Sequence, residues 1–125
     1  MRVIKIIIIA ICLAFLAGAI GSIAKAEENP SMCLAKNIYF EAKNQGTAGW
    51  AAVASVTLNR VNDTRYPNSI CEVVYQGPTR PSWQDPELMI PIRHKCQFSW
   101  YCDGKSDVMR NASKREEIIK FAEYV

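Results

Sequence analysis

The stretch Ile38-Tyr39-Phe40-Glu41-Ala42 sets an acid inside an apolar run, and its reading as helix decides the rest. At about 100° per residue, Leu34, Ile38, Glu41 and Ala42 share one helix face. The carboxylate is therefore expected on the side toward which the apolar chains point. The spacing predicts a helix from Met32 to Lys43, with Ser31 as N-cap and Asn44-Gln45-Gly46 as its end. Burial disfavours an ionised carboxyl, and the negative end of the helix dipole adds to this, so the acid's pKa is expected to rise toward roughly 6. The simpler alternative is a glutamate at the edge of the face with its head in water.

Outward from this helix, Thr47 to Val61 reads as a second one, with Trp50, Val53, Ala54, Thr57 and Val61 on one stripe and Leu58 at its margin. The segment Ile70 to Tyr75 is a short apolar element, read as a helical turn. Five residues between Gln76 and Lys95 are Gly77, Pro78, Pro81, Pro86 and Pro91, which predicts a long surface loop. Alternation from Gln97 to Cys102, followed by Asp103-Gly104, predicts a small β element. Ser113-x-x-Glu116 reads as a capping box opening a last helix with Ile118, Ala122 and Val125 on one face. The class expected is α+β, mainly helical, with a small β element.

The first 26 of the 125 residues read as an export signal: a basic start at Arg2 and Lys5, an apolar run from Ile6 to Ala24, and Ala24-Lys25-Ala26 as a cleavage site. The run is long enough to serve instead as an uncleaved N-terminal anchor. A lipoprotein-type site at Cys12 is not expected, because Ile11 precedes it. Arg2, Lys5 and Lys25 carry the whole net charge of +3, leaving 12 basic and 12 acidic residues in the domain at 27–125. The basic balance is therefore no sign of nucleic acid.

Four cysteines remain in that domain, Cys33, Cys71, Cys96 and Cys102. In a small exported domain they imply two disulfides, with three connectivities open. A four-cysteine zinc site is the rival, disfavoured by irregular spacing without C-x-x-C. The pairing expected is Cys33 with Cys71, since antiparallel packing of the first two helices brings the start of one near the end of the other, and Cys96 with Cys102.

The ordered set Cys33-Leu34-Ala35, Ile38-Tyr39-Phe40-Glu41-Ala42, Val56-x-Leu58-Asn59-Arg60-Val61, Tyr66-Pro67, Cys71-x-Val73-Val74-Tyr75 and Cys96-Gln97-Phe98-Ser99-Trp100 resembles the SleB-type cell wall hydrolases. The resemblance implies a lysozyme-like fold that cleaves peptidoglycan glycan as a lytic transglycosylase, with Glu41 as catalytic acid and base. Such an enzyme needs one carboxyl and no paired nucleophile. The other acids near these motifs, Asp63, Glu72 and Asp103, read as turn or surface residues. Gln97 and Ser99 are expected on one face of a strand beside the sugar cleft, with Phe98 and Trp100 on the other. At least one of these aromatics is expected in the core. Tyr39, Asn59 and Trp100 complete the expected substrate contacts, although capping the helix end explains Asn59 and Arg60 equally well.

The resemblance implies glycan strands as partner, an exported location in periplasm, envelope or outside the cell, a monomer, no nucleic acid, and no metal or other cofactor. Membrane contact is expected only through an uncleaved leader. His94 is the sole histidine, too few for the zinc site of an N-acetylmuramoyl-L-alanine amidase. The rivals from other classes are a non-catalytic glycan-binding module and a disulfide-stapled inhibitor or structural envelope protein. Relatives usually continue beyond the last helix into a Thr-His-Tyr-His stretch and a Pro-x-Trp, and the sequence ends at Val125 with neither at that place, so either a minimal version or a C-terminally truncated catalytic domain is expected.

Overall fold

Pro30 follows an Asn whose side chain is free to cap, and that pair starts the helix on which the domain is built. The computed structural model describes residues 28–125; the expected leader and its cleavage site lie outside the described residues. Helix α1 spans Pro30–Ala42, α2 Gly46–Val61, α3 Ile70–Val74 and α4 Ala112–Tyr124, with strands β1 Thr79–Pro81 and β2 Met89–Pro91 and a 3₁₀ turn at Ser99–Cys102. The chain is mainly helical with a small sheet, as the sequence predicts.

The cap of α1 is Asn29, not Ser31: its side-chain oxygen accepts from the Ser31 N–H at 2.9 Å. Pro30 takes the first helical position, where a missing N–H costs nothing. At the other end the Trp50 indole N–H donates to the Ala42 carbonyl at 3.1 Å, satisfying a group the helix itself leaves open. Gly46, at φ 66°, lets the chain turn directly into α2.

Helix α1 lies at the centre. Leu34, Ala35, Ile38 and Ala42 pack on Trp50 and Ala54 of α2 and on Ile118 and Ala122 of α4. Cys33 enters a second cluster with Val73, Val74, Phe98 and Trp100, and Phe40 touches both clusters. Cys33 is bonded to Cys71 and Cys96 to Cys102. Between the two clusters runs a buried polar chain. The Trp100 indole donates to Asn37 Oδ1 at 2.9 Å, Asn37 Nδ2 donates to Thr57 Oγ1 at 3.0 Å, and Thr57 donates to the Val53 carbonyl at 2.9 Å. Every member has a partner, so burial carries no orphan penalty.

Further expectations are corrected. The small sheet falls inside the Pro-rich segment, where Thr79 pairs with Pro91 and Pro81 with Met89. Prolines are tolerated because both strands are short and stand at an edge. Where a strand is expected over 97–102, Ser99–Cys102 form the 3₁₀ turn, yet Phe98 and Trp100 are still buried while Gln97 and Ser99 are exposed. Helix α4 is capped by Asn111, which accepts from the Lys114 N–H at 3.0 Å, and not by the Ser113 capping box. Glu116 pairs with Lys120, and Val125 is exposed, off the buried face.

Candidate active site

Packing α1 on three sides buries almost all of it, and between Ser31 and Ala42 only Glu41 is exposed. Of the two readings of the helix face, the structure matches the glutamate with its head in water and not the buried carboxylate. A helix enclosed by two helices and a disulfide-linked turn has no single apolar face, so the period does not say which side stays open. The place of Glu41 in the last turn of α1 is as expected.

Glu41 borders two recesses. One, of about 240 Å³, is lined by Glu41, Ala52, Val53, Val56 and Phe98, so the carboxyl faces an apolar wall built by the outer side of α2. The other, of about 180 Å³, follows the turn from Phe40 to Gln45. Among the described residues no ion pair or side-chain hydrogen bond engages Glu41, and nearby Lys43 lies over the Tyr39 ring at 4.9 Å instead. A third recess, of about 230 Å³, shares Val56 with the first and continues to Asn59, Arg60 and Tyr66. Glu41 is common to the first and second recesses and Val56 to the first and third, a run of adjoining recesses that makes up the candidate groove.

Of the expected contacts, Asn59 lines this groove. Gln97 and Ser99 flank Phe98 and are exposed. Tyr39 and Trp100 are only 3% and 6% exposed, and both are engaged inside the protein. The Tyr39 hydroxyl accepts from the Asn111 N–H at 2.9 Å, and Trp100 stacks on Phe40 with centroids 4.7 Å apart. They back the site and do not line it. Val56 and Phe98 were missed as lining residues. Val56 is 46% exposed although apolar, and an apolar residue off the buried stripe is the signal that would have found it.

Neither Asp63, Glu72 nor Asp103 stands near Glu41 in the recesses it lines. Asp63 is held by Arg65, whose side-chain hydrogen bond pulls its carboxyl down to about 2. Glu72 accepts from the Ser69 hydroxyl at 2.7 Å, and Asp103 accepts from the Lys105 N–H at 2.7 Å. His94 is exposed, and among the described residues no three His, Cys, Asp or Glu side chains stand together as metal ligands. No helix among the described residues is long and apolar enough to cross a membrane.

A small, disulfide-linked helical domain with the exposed acid Glu41 set in open recesses is thus defined. The model of the cell wall hydrolase family matches residues 44–125, and the chain belongs to that family. The match takes in the Asn59-Arg60 end of the groove and begins three residues after Glu41. The spore cortex-lytic enzyme of Bacillus subtilis (strain 168) is 38% identical over 91 residues, which cover 73% of this chain and 24% of the relative. The chain spans about a quarter of that curated relative's length. No solved structure matches.

Proposed function

We propose that this domain is a lysozyme-like, exported peptidoglycan-cleaving enzyme that breaks the bond between N-acetylmuramic acid and N-acetylglucosamine as a lytic transglycosylase, with Glu41 as acid and base. The observation that carries the reading is the exposure of Glu41, alone between Ser31 and Ala42, where it lines two adjoining recesses. Family membership supports the choice of polymer.

A sugar laid over Ala52, Val53, Val56 and Phe98 keeps water from the carboxyl, and a water-poor site favours the proton-bearing acid. Glu41 then gives its proton to the glycosidic oxygen as the bond from the muramic C1 breaks, and N-acetylglucosamine leaves as an alcohol. The muramic C6 hydroxyl attacks C1, Glu41 takes the hydroxyl proton, and a 1,6-anhydro ring closes without consuming water. A hydrolysing glycosidase sets a second carboxylate about 5 to 9.5 Å from the first. Among the described residues no second acid lines the recesses at Glu41. The tethered hydroxyl needs less help, because an intramolecular nucleophile has a large effective molarity.

Mass spectrometry of purified peptidoglycan after digestion tests this. Products ending in 1,6-anhydro-N-acetylmuramic acid, one water lighter than hydrolytic ones, are expected. Reducing-end muramic acid would mean a hydrolase, free stem peptides with intact glycan an amidase, and unchanged glycan a binding module.

A further inference from the structure

Among the described residues, the groove holds a cation without an ion-pair partner. Arg60, in the last turn of α2, lines the recess that adjoins the one at Glu41. Its Cζ lies 5.0 Å from the Phe98 ring centroid and 5.4 Å from that of Tyr66. Aromatic faces hold a guanidinium and partly balance its charge, but they offer no lone pair to its N–H groups. Nη1 is buried and has no hydrogen-bond partner, and among the described residues neither Nε nor Nη2 donates to the protein, which leaves the half-buried side chain's other N–H groups to meet a ligand in the recess.

The nearby acid is already committed. Asp63 lines the same recess, but Arg65 takes both of its oxygens, at 3.0 Å and 2.6 Å. With Asp63 and Arg65 cancelling, the recess is left with the charge of Arg60. A buried donor without an acceptor costs free energy, and an arginine fixed in orientation by aromatic contact matches one kind of ligand best, a planar carboxylate.

We propose that Arg60 reads the muramic residues of the strand by binding a carboxylate that they carry, so that the Asn59-Arg60 end of the groove sets specificity. This rests on the reading of the groove as a glycan cleft. The alternating sugars of peptidoglycan differ in that muramic acid alone bears a lactyl arm. Its carboxylate is free in a bare strand and is replaced by the stem peptide's own carboxylates in a substituted one. N-acetylglucosamine has no such group, and Arg60 supplies the contact that tells them apart and fixes which sugar meets Glu41.

Calorimetric titration of the Glu41→Gln chain, which prevents turnover, compares three ligands of equal length: chitotetraose, a bare GlcNAc-MurNAc tetrasaccharide, and the same tetrasaccharide with stem peptides. The muramic ligands are expected to bind about tenfold or more tightly than chitotetraose, the worth of a charge-assisted contact. Preference for the bare ligand assigns the lactyl carboxylate, and preference for the substituted one assigns the peptide. Adding Arg60→Gln should abolish the preference and leave chitotetraose binding in place. Methyl esterification of the ligand carboxylates should do the same with Arg60 intact, which keeps the test valid if the double variant fails to fold. Equal binding of all three ligands, or a preference that survives esterification, would overturn the role of Arg60 alone. Failure to bind any of them would overturn the cleft itself.

Discussion

Glu41→Gln keeps the side chain's shape and removes its titratable proton. If Glu41 is the proton donor, turnover of purified cell wall falls by about 10² to 10⁴. The melting temperature should hardly move, because Glu41 is exposed and unpaired among the described residues. A variant that solubilised walls at the parent rate would remove Glu41 from the mechanism. Asn37→Ala should show the opposite pattern. It strips the partner from the Trp100 indole in a fully buried place, which costs about 1 to 3 kcal/mol in denaturant titration. Sequence reasoning reached Glu41 through its motif, and the face argument that accompanied it assumed one buried side where α1 has three. Asn37 went unremarked, since an asparagine on a helix signals nothing until its partners, 20 and 63 residues away, are known.

At the level of elements, α4 depends on its start. Asn111 caps it with its side chain, and its own N–H is held by Tyr39 of α1. Asn111→Ala should cost about 1 kcal/mol, measured as a lower denaturation midpoint at unchanged slope. Removing Ser113 should cost less, although the pattern Ser113-x-x-Glu116 looked like the cap. Helices α1 and α2 were legible within a residue or two because their apolar spacing is sustained and their ends carry Pro, Asn or Gly. The 3₁₀ turn was not, because alternating burial of Phe98 and Trp100 suits a tight turn over a core as well as a strand. The hairpin was hidden by its prolines, which pairing over three residues accommodates.

Across the whole molecule the two crosslinks differ in reach. Cys33 and Cys71 are 38 residues apart and Cys96 and Cys102 only 6. The chain-entropy relation assigns them about 4 and about 2 kcal/mol. Replacing the first pair by serines should therefore lower the unfolding midpoint more than replacing the second. A further tie joins the start of the described chain to α3. Glu28 accepts from Lys36 and, at 2.8 Å, from the Tyr75 hydroxyl. Partial burial would raise its pKa, but these hydrogen bonds and the Lys36 charge outweigh that and hold it below the ordinary 4.5. A depressed folded value means the tie contributes fully above pH 4.5 and is lost as pH falls through that depressed value. Glu28→Gln should flatten the acid limb of a stability-versus-pH curve. The central place of α1 has a consequence for how the chain is made. Its main partner at the far end, α4, begins 70 residues after α1 ends. A polypeptide emerging N-terminus first thus presents α1 long before the surface that covers it exists. The core around α1 is therefore complete only once Ile118 and Ala122 arrive, and folding of the whole waits on the last helix to be made.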